Sequence, residues 1–196
     1  VYFGPQTSHE SVRLAVLAGF GRHDRSAVTA LLSFIEYLAE APDIGQSLNV
    51  SFFPVANVIG LTSDTEERDL SDDSWSNPRS PEIALLSQEI LRSHYQVFIR
   101  ITTSTDDEPA AWVRSIRSTT AHSSDLQVFS STDFHPWSVT FETVSAESVG
   151  GGLLGLASQM AFAPFEVELS LPADWTQRTA DRALATKLKR LIVHYR

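Results

Sequence analysis

Two short stretches carry charge or imidazole at spacings that chemistry can use. The first is Gly21-Arg22-His23-Asp24-Arg25, where three charged groups and a histidine fall within five residues. His23 and Asp24 are types that ligate a metal or relay a proton. The same residues also suit a plain role, with Asp24 capping a helix near Ser26 and the two arginines solvated. The second stretch is FEVELSLP, residues 165–172, in which Glu166 and Glu168 lie two apart. On a strand they share one face, opposite Val167 and Leu169. Such a pair serves as a general base and its neighbour, or forms the wet face of an edge strand.

Other chemistries lack their patterns. The six histidines (His9, His23, His94, His122, His135, His194) include no HExxH and no i, i+4 pair, so spacing alone spells no zinc site. His94 and His194 fall near expected helix C-termini, where a cation suits the dipole. There is no GxSxG elbow. The glycine tract VGGGLLGL lacks the GK[ST] ending of a phosphate loop and reads as a loop beside a cleft.

The elements that must position these residues alternate in type. Residues 11–20 (SVRLAVLAGF) read as a buried strand, so the Gly21–Arg25 loop crowns its carboxyl end. Residues 26–41 place Val28, Leu31, Leu32, Ile35 and Leu38 at helical spacing, with Pro42 just beyond. A second buried strand is expected over 48–56. Ser80-Pro81-Glu82 is a strong helix start, with an N-cap hydroxyl, proline at the first helical position and an acid at the positive dipole end. That helix is expected to run to about His94, burying Ile83, Leu86 and Ile90. Further strands are expected at 97–102, 126–130, 139–144 and 165–169. A last helix over 177–194 would bury Ala180, Leu184, Leu188, Leu191 and Ile192. The polar run 64–79 and the segment 145–155 are expected to be surface loops. Strands separated by amphipathic helices predict an α/β fold: a mainly parallel, twisted sheet with helices on both faces.

Composition narrows the function. The chain has 196 residues and a net charge of −9, with 42% hydrophobic and 20% charged residues, which fits one domain spanning 1–196. The acidic balance disfavours nucleic acid and anionic membrane as partners. Absence of cysteine removes disulfides, thiolate nucleophiles and Cys-ligated metals, and leaves the compartment open. No apolar run approaches the ~18 residues of a spanning helix, and no signal peptide is visible. The opening Val1, rather than Met, fits a chain that begins inside a longer protein. The oligomeric state is not legible.

The order of motifs resembles that of zinc carboxypeptidases and their relatives, the succinylglutamate desuccinylase and aspartoacylase-like deacylases. AGFGRHDRSAVTALLSFIEYL is similar to the family's strand, A-G-x-H-G-x-E loop and helix. FFPVANVIGL, ERDLSDDSW, SPEIALLSQEIL and FEVELSLP follow in the family's order, so the likeness spans about Val12 to Pro172. In the family, one zinc is held by the loop His and Glu and by a later strand-end His. A late Glu then activates its bound water toward an amide carbonyl.

Carried across, the resemblance puts Gly21 at the first His, Asp24 at the Glu, and Thr102 (or Thr103) at the second His. Ser71 and Asp72 fall at the substrate-holding Asn and Arg, Asn57 is kept, and Glu168 matches the catalytic Glu. Glycine and threonine cannot replace imidazole, and Asp72 reverses a charge. The resemblance therefore implies a degenerate, non-catalytic or diverted member that needs no cofactor. Its cleft over Gly21, His23, Asp24, Asn57, Ser71, Asp72, Thr102 and Glu168 would bind a peptide or a basic small molecule. The alternative is an active metal-dependent carboxypeptidase or N-acyl amino acid amidohydrolase with relocated zinc ligands: His23, Asp24, and His122 or His135. A third reading is a metal-free hydrolase with Glu168 as base beside Asp24 or His23.

Overall fold

The computed structural model describes residues 2–3, 12–41, 49–64, 70, 73–76, 78, 80–116, 129, 134–144, 152–157 and 165–194. Among the described residues, seven strands form one sheet: β1 (Tyr2–Phe3), β2 (Leu14–Ala18), β3 (Val50–Phe53), β4 (Val97–Ser104), β5 (Ala110–Ile116), β6 (Ser138–Val144) and β7 (Phe165–Pro172). Their order is β1-β3-β2-β4-β7-β5-β6. β2 pairs parallel with β3 and β4, β4 with β7, and β5 with β6, whereas β1–β3 and β5–β7 are antiparallel. The sheet is thus mixed but mainly parallel.

Helices cover both faces, as the strand alternation requires. Leu14, Val16 and Ala18 of β2 turn toward α1 (Arg25–Glu40) and the long α6 (Gln177–His194), whose Leu184, Leu188 and Leu191 are buried in the same core. Ala15, Leu17 and Phe98 turn the other way, into a second core with Ile83, Leu86 and Ile90 of α4 (Pro81–Ser93). The remaining helices are short: α2 (Val58–Thr62), α3 (Asp73–Ser76) and α5 (Gly152–Ala157). The expected start of α4 is realised, with Ser80 Oγ accepting from the Ile83 N–H.

Several expectations need correction. Leu32 of α1 is 43% exposed, and Phe34 occupies the core instead. The 64–79 stretch is not all surface loop: Trp75 of α3 is 2% exposed and Leu70 is also buried, because a large indole and a leucine are held in the second core. The segment 145–155 enters α5 at Gly152, and Leu153 and Leu154 are buried. The strand expected at 126–130 lies outside the described residues apart from Phe129. β5 was not anticipated at all. It inserts antiparallel beside β7 and makes β7 an interior strand.

Candidate active-site cleft

The loop after β2 is built around one carboxylate. Asp24 Oδ2 accepts from the backbone N–H groups of Phe20 (2.9 Å) and Gly21 (3.2 Å), and Oδ1 accepts from Thr103 N–H at 2.9 Å. Asp24 occupies the N-cap position of α1, but its side chain makes no cap hydrogen bond, so the expected capping role is replaced by a clamp between the loop and the end of β4. Burial raises its pKa above the ordinary 3.8, while the three N–H groups and Arg100 pull the other way. Gly19 makes the preceding bend possible: its φ is +73°, and a Cβ there would lie 2.9 Å from Val28 Cγ2 and 3.2 Å from Val55 Cα.

Asn57 is buried, and its amide works in the scaffold. Nδ2 donates to Phe20 O at 3.0 Å and Oδ1 accepts from Gly60 N–H at 2.9 Å. Phe20 O also accepts from Leu70 N–H at 2.9 Å. The sequence PVAN therefore ties α2 to the loop.

On the opposite side of the loop, four charged residues interlock across three strands. Glu166 is 1% exposed, and its Oε1 lies 3.2 Å from Arg100 Nη1 on β4 and 3.5 Å from Arg114 Nη2 on β5. Arg114 Nη2 also donates to Glu168 Oε2 at 3.1 Å, and Thr102 Oγ1 donates to Glu168 Oε1 at 3.2 Å. The Arg100 guanidinium carbon stands 4.7 Å from the centre of the Phe20 ring, a cation–π contact that joins this network to the loop. Burial raises the Glu166 pKa, opposed by both guanidiniums. The two glutamates share a face as expected, but that face belongs to an interior strand and not to a wet edge.

A cavity of about 430 Å³ opens at the strand ends above this network, lined by His23, Thr102, Thr103, Trp112, Glu168 and Ser170 among others. The structure thus brings together three predicted cleft residues, His23, Thr102 and Glu168. Gly21 and Asp24 are buried within the loop itself, Asn57 serves as its strut, and Ser71 and Asp72 lie outside the described residues. Among the described residues, the alternative metal set is not brought together. His23 lines this cavity and His135 another one, and among the described residues no three of His, Cys, Asp and Glu group as metal ligands. His122 lies outside the described residues. His23 Nε2 is 2.8 Å from Arg22 Nε, which donates to it.

Sequence reasoning missed Arg100, Arg114 and Trp112. A signal for the first was present: an arginine inside the apolar strand VFIRIT must find a buried counter-charge. Arg114 and Trp112 depend on β5, whose mixed AAWVRSI pattern hides a strand.

No family model and no curated protein sequence matches the chain. Solved structures do. The backbone superposes on a metallo-carboxypeptidase from Burkholderia cenocepacia with a TM-score of 0.70 at 15% identity, covering 98% of this chain and 59% of that one. A candidate metallopeptidase from Shewanella denitrificans gives 0.67 at 13% identity, covering 96% and 77%. The fold is carboxypeptidase-like. The tripeptide-bound cell shape determinant Csd4 from Helicobacter pylori gives 0.64 at 11% identity, with 100% of this chain over 54% of that one. The carboxypeptidase-like sheet accounts for the placement of the cavity at the carboxyl ends of β4 and β7, where α/β sheets bind ligands. The chain spans between half and four fifths of these neighbours, and no described helix is long and apolar enough to cross a membrane.

Proposed function

We propose that this carboxypeptidase-like chain binds a short peptide or small polar molecule in the cleft over β4 and β7 without hydrolysing it. One observation carries the reading: the carboxylate at the position of the family's metal-binding Glu is turned into the loop, where it accepts from three backbone N–H groups. Three of the roughly four acceptor positions of the Asp24 carboxylate are taken by Phe20, Gly21 and Thr103, and zinc needs three or four protein donors of which this is at best one. Gly21 offers no donor atom, and the Thr102 hydroxyl donates to Glu168. The donor set does not fit zinc. Glu168, the counterpart of the family's base, accepts hydrogen bonds from Arg114 and Thr102. With Ser170, Thr103 and the Trp112 ring around it, this carboxylate suits a ligand carrying hydroxyl or ammonium donors. Csd4 in its tripeptide complex supports a peptide as the ligand class.

The test combines elemental analysis, turnover and calorimetry on the purified protein. The expected result is substoichiometric zinc after dialysis against zinc, no cleavage of peptide or N-acyl amino acid substrates with zinc added, and heat from binding short peptides. Glu168→Ala should weaken that binding about tenfold, the loss of one good charge-assisted contact. Stoichiometric zinc with metal-dependent turnover would overturn the reading.

A further inference from the structure

A second cavity, of about 550 Å³, lies between α6 and the segment around Trp137, apart from the cleft described above. α6 gives it a wall of its own. Arg178, Arg182 and Thr186 succeed one another at i, i+4 and i+8, a single stripe along the helix. Ala180, Leu184, Leu188 and Leu191 form the opposite stripe in the core, so the cationic stripe is not needed for packing. Trp175, at the entrance to the helix, and Trp137, from the facing segment, supply two indoles.

The base of the cavity holds a buried cation. Lys187 is 5% exposed; its Nζ donates to His135 O at 3.2 Å and stands 4.9 Å from the centre of the Phe134 ring. The chain as a whole carries a net charge of −9, yet among the described residues that line the cavity three are cations and none is an aspartate or glutamate. Asp181 stands beside the stripe, where it accepts from Gln177 Nε2 at 2.7 Å. The local sign is therefore opposite to that of the whole molecule, and indole rings border the positive region.

The geometry points to a second ligand site, specific for a small anion attached to a planar ring: a phosphate or carboxylate on an aromatic or heteroaromatic group. The guanidiniums of Arg178 and Arg182 receive the anion, bidentate pairing being their strongest mode. The ring stacks against Trp175, and the volume falls within the range of small-molecule sites. This assignment stands independently of what the first cleft binds.

Tryptophan fluorescence and ligand-observed NMR test it, with AMP, phenyl phosphate and benzoate as probes and adenosine and inorganic phosphate as controls. At least one ring-bearing anion should bind with Kd below about 1 mM, more weakly as salt rises. The controls should each bind about tenfold more weakly than AMP. Arg178→Glu/Arg182→Glu, two exposed positions whose replacement leaves the core intact, should abolish binding, while circular dichroism stays unchanged. Trp175→Ala should weaken ring-bearing anions and leave inorganic phosphate unaffected. Failure of all three anions to saturate would overturn the site. So would binding that survives charge reversal, and inorganic phosphate binding as tightly as AMP would overturn the aromatic requirement.

Discussion

Asp24, in the loop after β2, accepts a hydrogen bond from the backbone of Thr103, 79 positions further along, at 2.9 Å. The contact joins the first loop to the end of a neighbouring strand, where a metal would bridge the corresponding positions in the family that the sequence resembles. This side chain thus ties the loop to β4, as Asn57 ties it to α2. Asp24→Asn retains one acceptor but sets an NH2 group against backbone donors, so it should cost about 1–3 kcal/mol, the penalty for unsatisfied buried groups. Urea unfolding at neutral pH measures it.

The same residue predicts a pH effect of definite sign. Its folded pKa is raised above the ordinary 3.8 by burial, so between those two values the folded state holds more protons than the unfolded one. Stability from this group is then fully present below pH 3.8 and is lost as pH rises through the folded value. The difference in unfolding free energy between the natural chain and Asp24→Asn should shrink as pH rises across that window. A difference that grows with pH would mean that the three N–H groups outweigh desolvation.

Glu166 gives a larger stability effect. It is enclosed by Arg100 and Arg114 in the middle of the sheet, and its removal takes from both guanidiniums a buried counter-charge. Glu166→Leu should therefore cost about 3–5 kcal/mol. The double variant Glu166→Leu/Arg100→Met removes charge on both sides and should cost less than the two single changes added together. A double-mutant cycle by chemical denaturation tests this; simple additivity would show that the two residues are not coupled.

These residues also show how far the sequence could be read. α6 appears at its expected bounds, 177–194, because a regular apolar spacing and a polar opposite face leave little ambiguity. The α4 start was equally legible from Ser80-Pro81-Glu82. β5 was not, since its alternation is broken by Arg114 and Ser115, and a strand's identity there depends on the partner it meets. Glu166 and Glu168 were found as a pair, but their interior setting followed from β5, so Arg114 was invisible, whereas Arg100 in VFIRIT left a signal that went unused. Asp24 was singled out correctly as a loop carboxylate, whereas its actual task depends on Thr103, a contact no local pattern encodes. Trp75 and Leu70 were read as loop because a polar, acidic stretch conceals two apolar anchors.

Gly19 allows steric crowding and backbone strain to be separated. Gly19→Ala places a methyl 2.9 Å from Val28 Cγ2 and forces an L-residue to φ +73°, at a cost of about 1–3 kcal/mol. Adding Val28→Ala clears the nearest atom, but the backbone atoms of Val55 and Pro54 at 3.2 and 3.3 Å remain. Thermal unfolding of Gly19→Ala in the Val28→Ala background should therefore still show a penalty, smaller than in the natural chain. Full recovery would assign the whole effect to the valine contact.

Metal addition and removal bear directly on the proposed loss of the zinc site. A ligand that binds only the folded chain stabilises it by about 2.7 kcal/mol at a hundredfold excess over Kd, which is readily seen as a rise in Tm. With Asp24 committed to backbone N–H groups and His23 Nε2 accepting from Arg22, neither zinc nor a chelator should move Tm. His23→Ala should behave like the natural chain in both experiments. A zinc-dependent rise in Tm that disappears in His23→Ala would show instead that the exposed imidazole swings in to hold a metal, and that the Arg22 contact is the resting state of a working site.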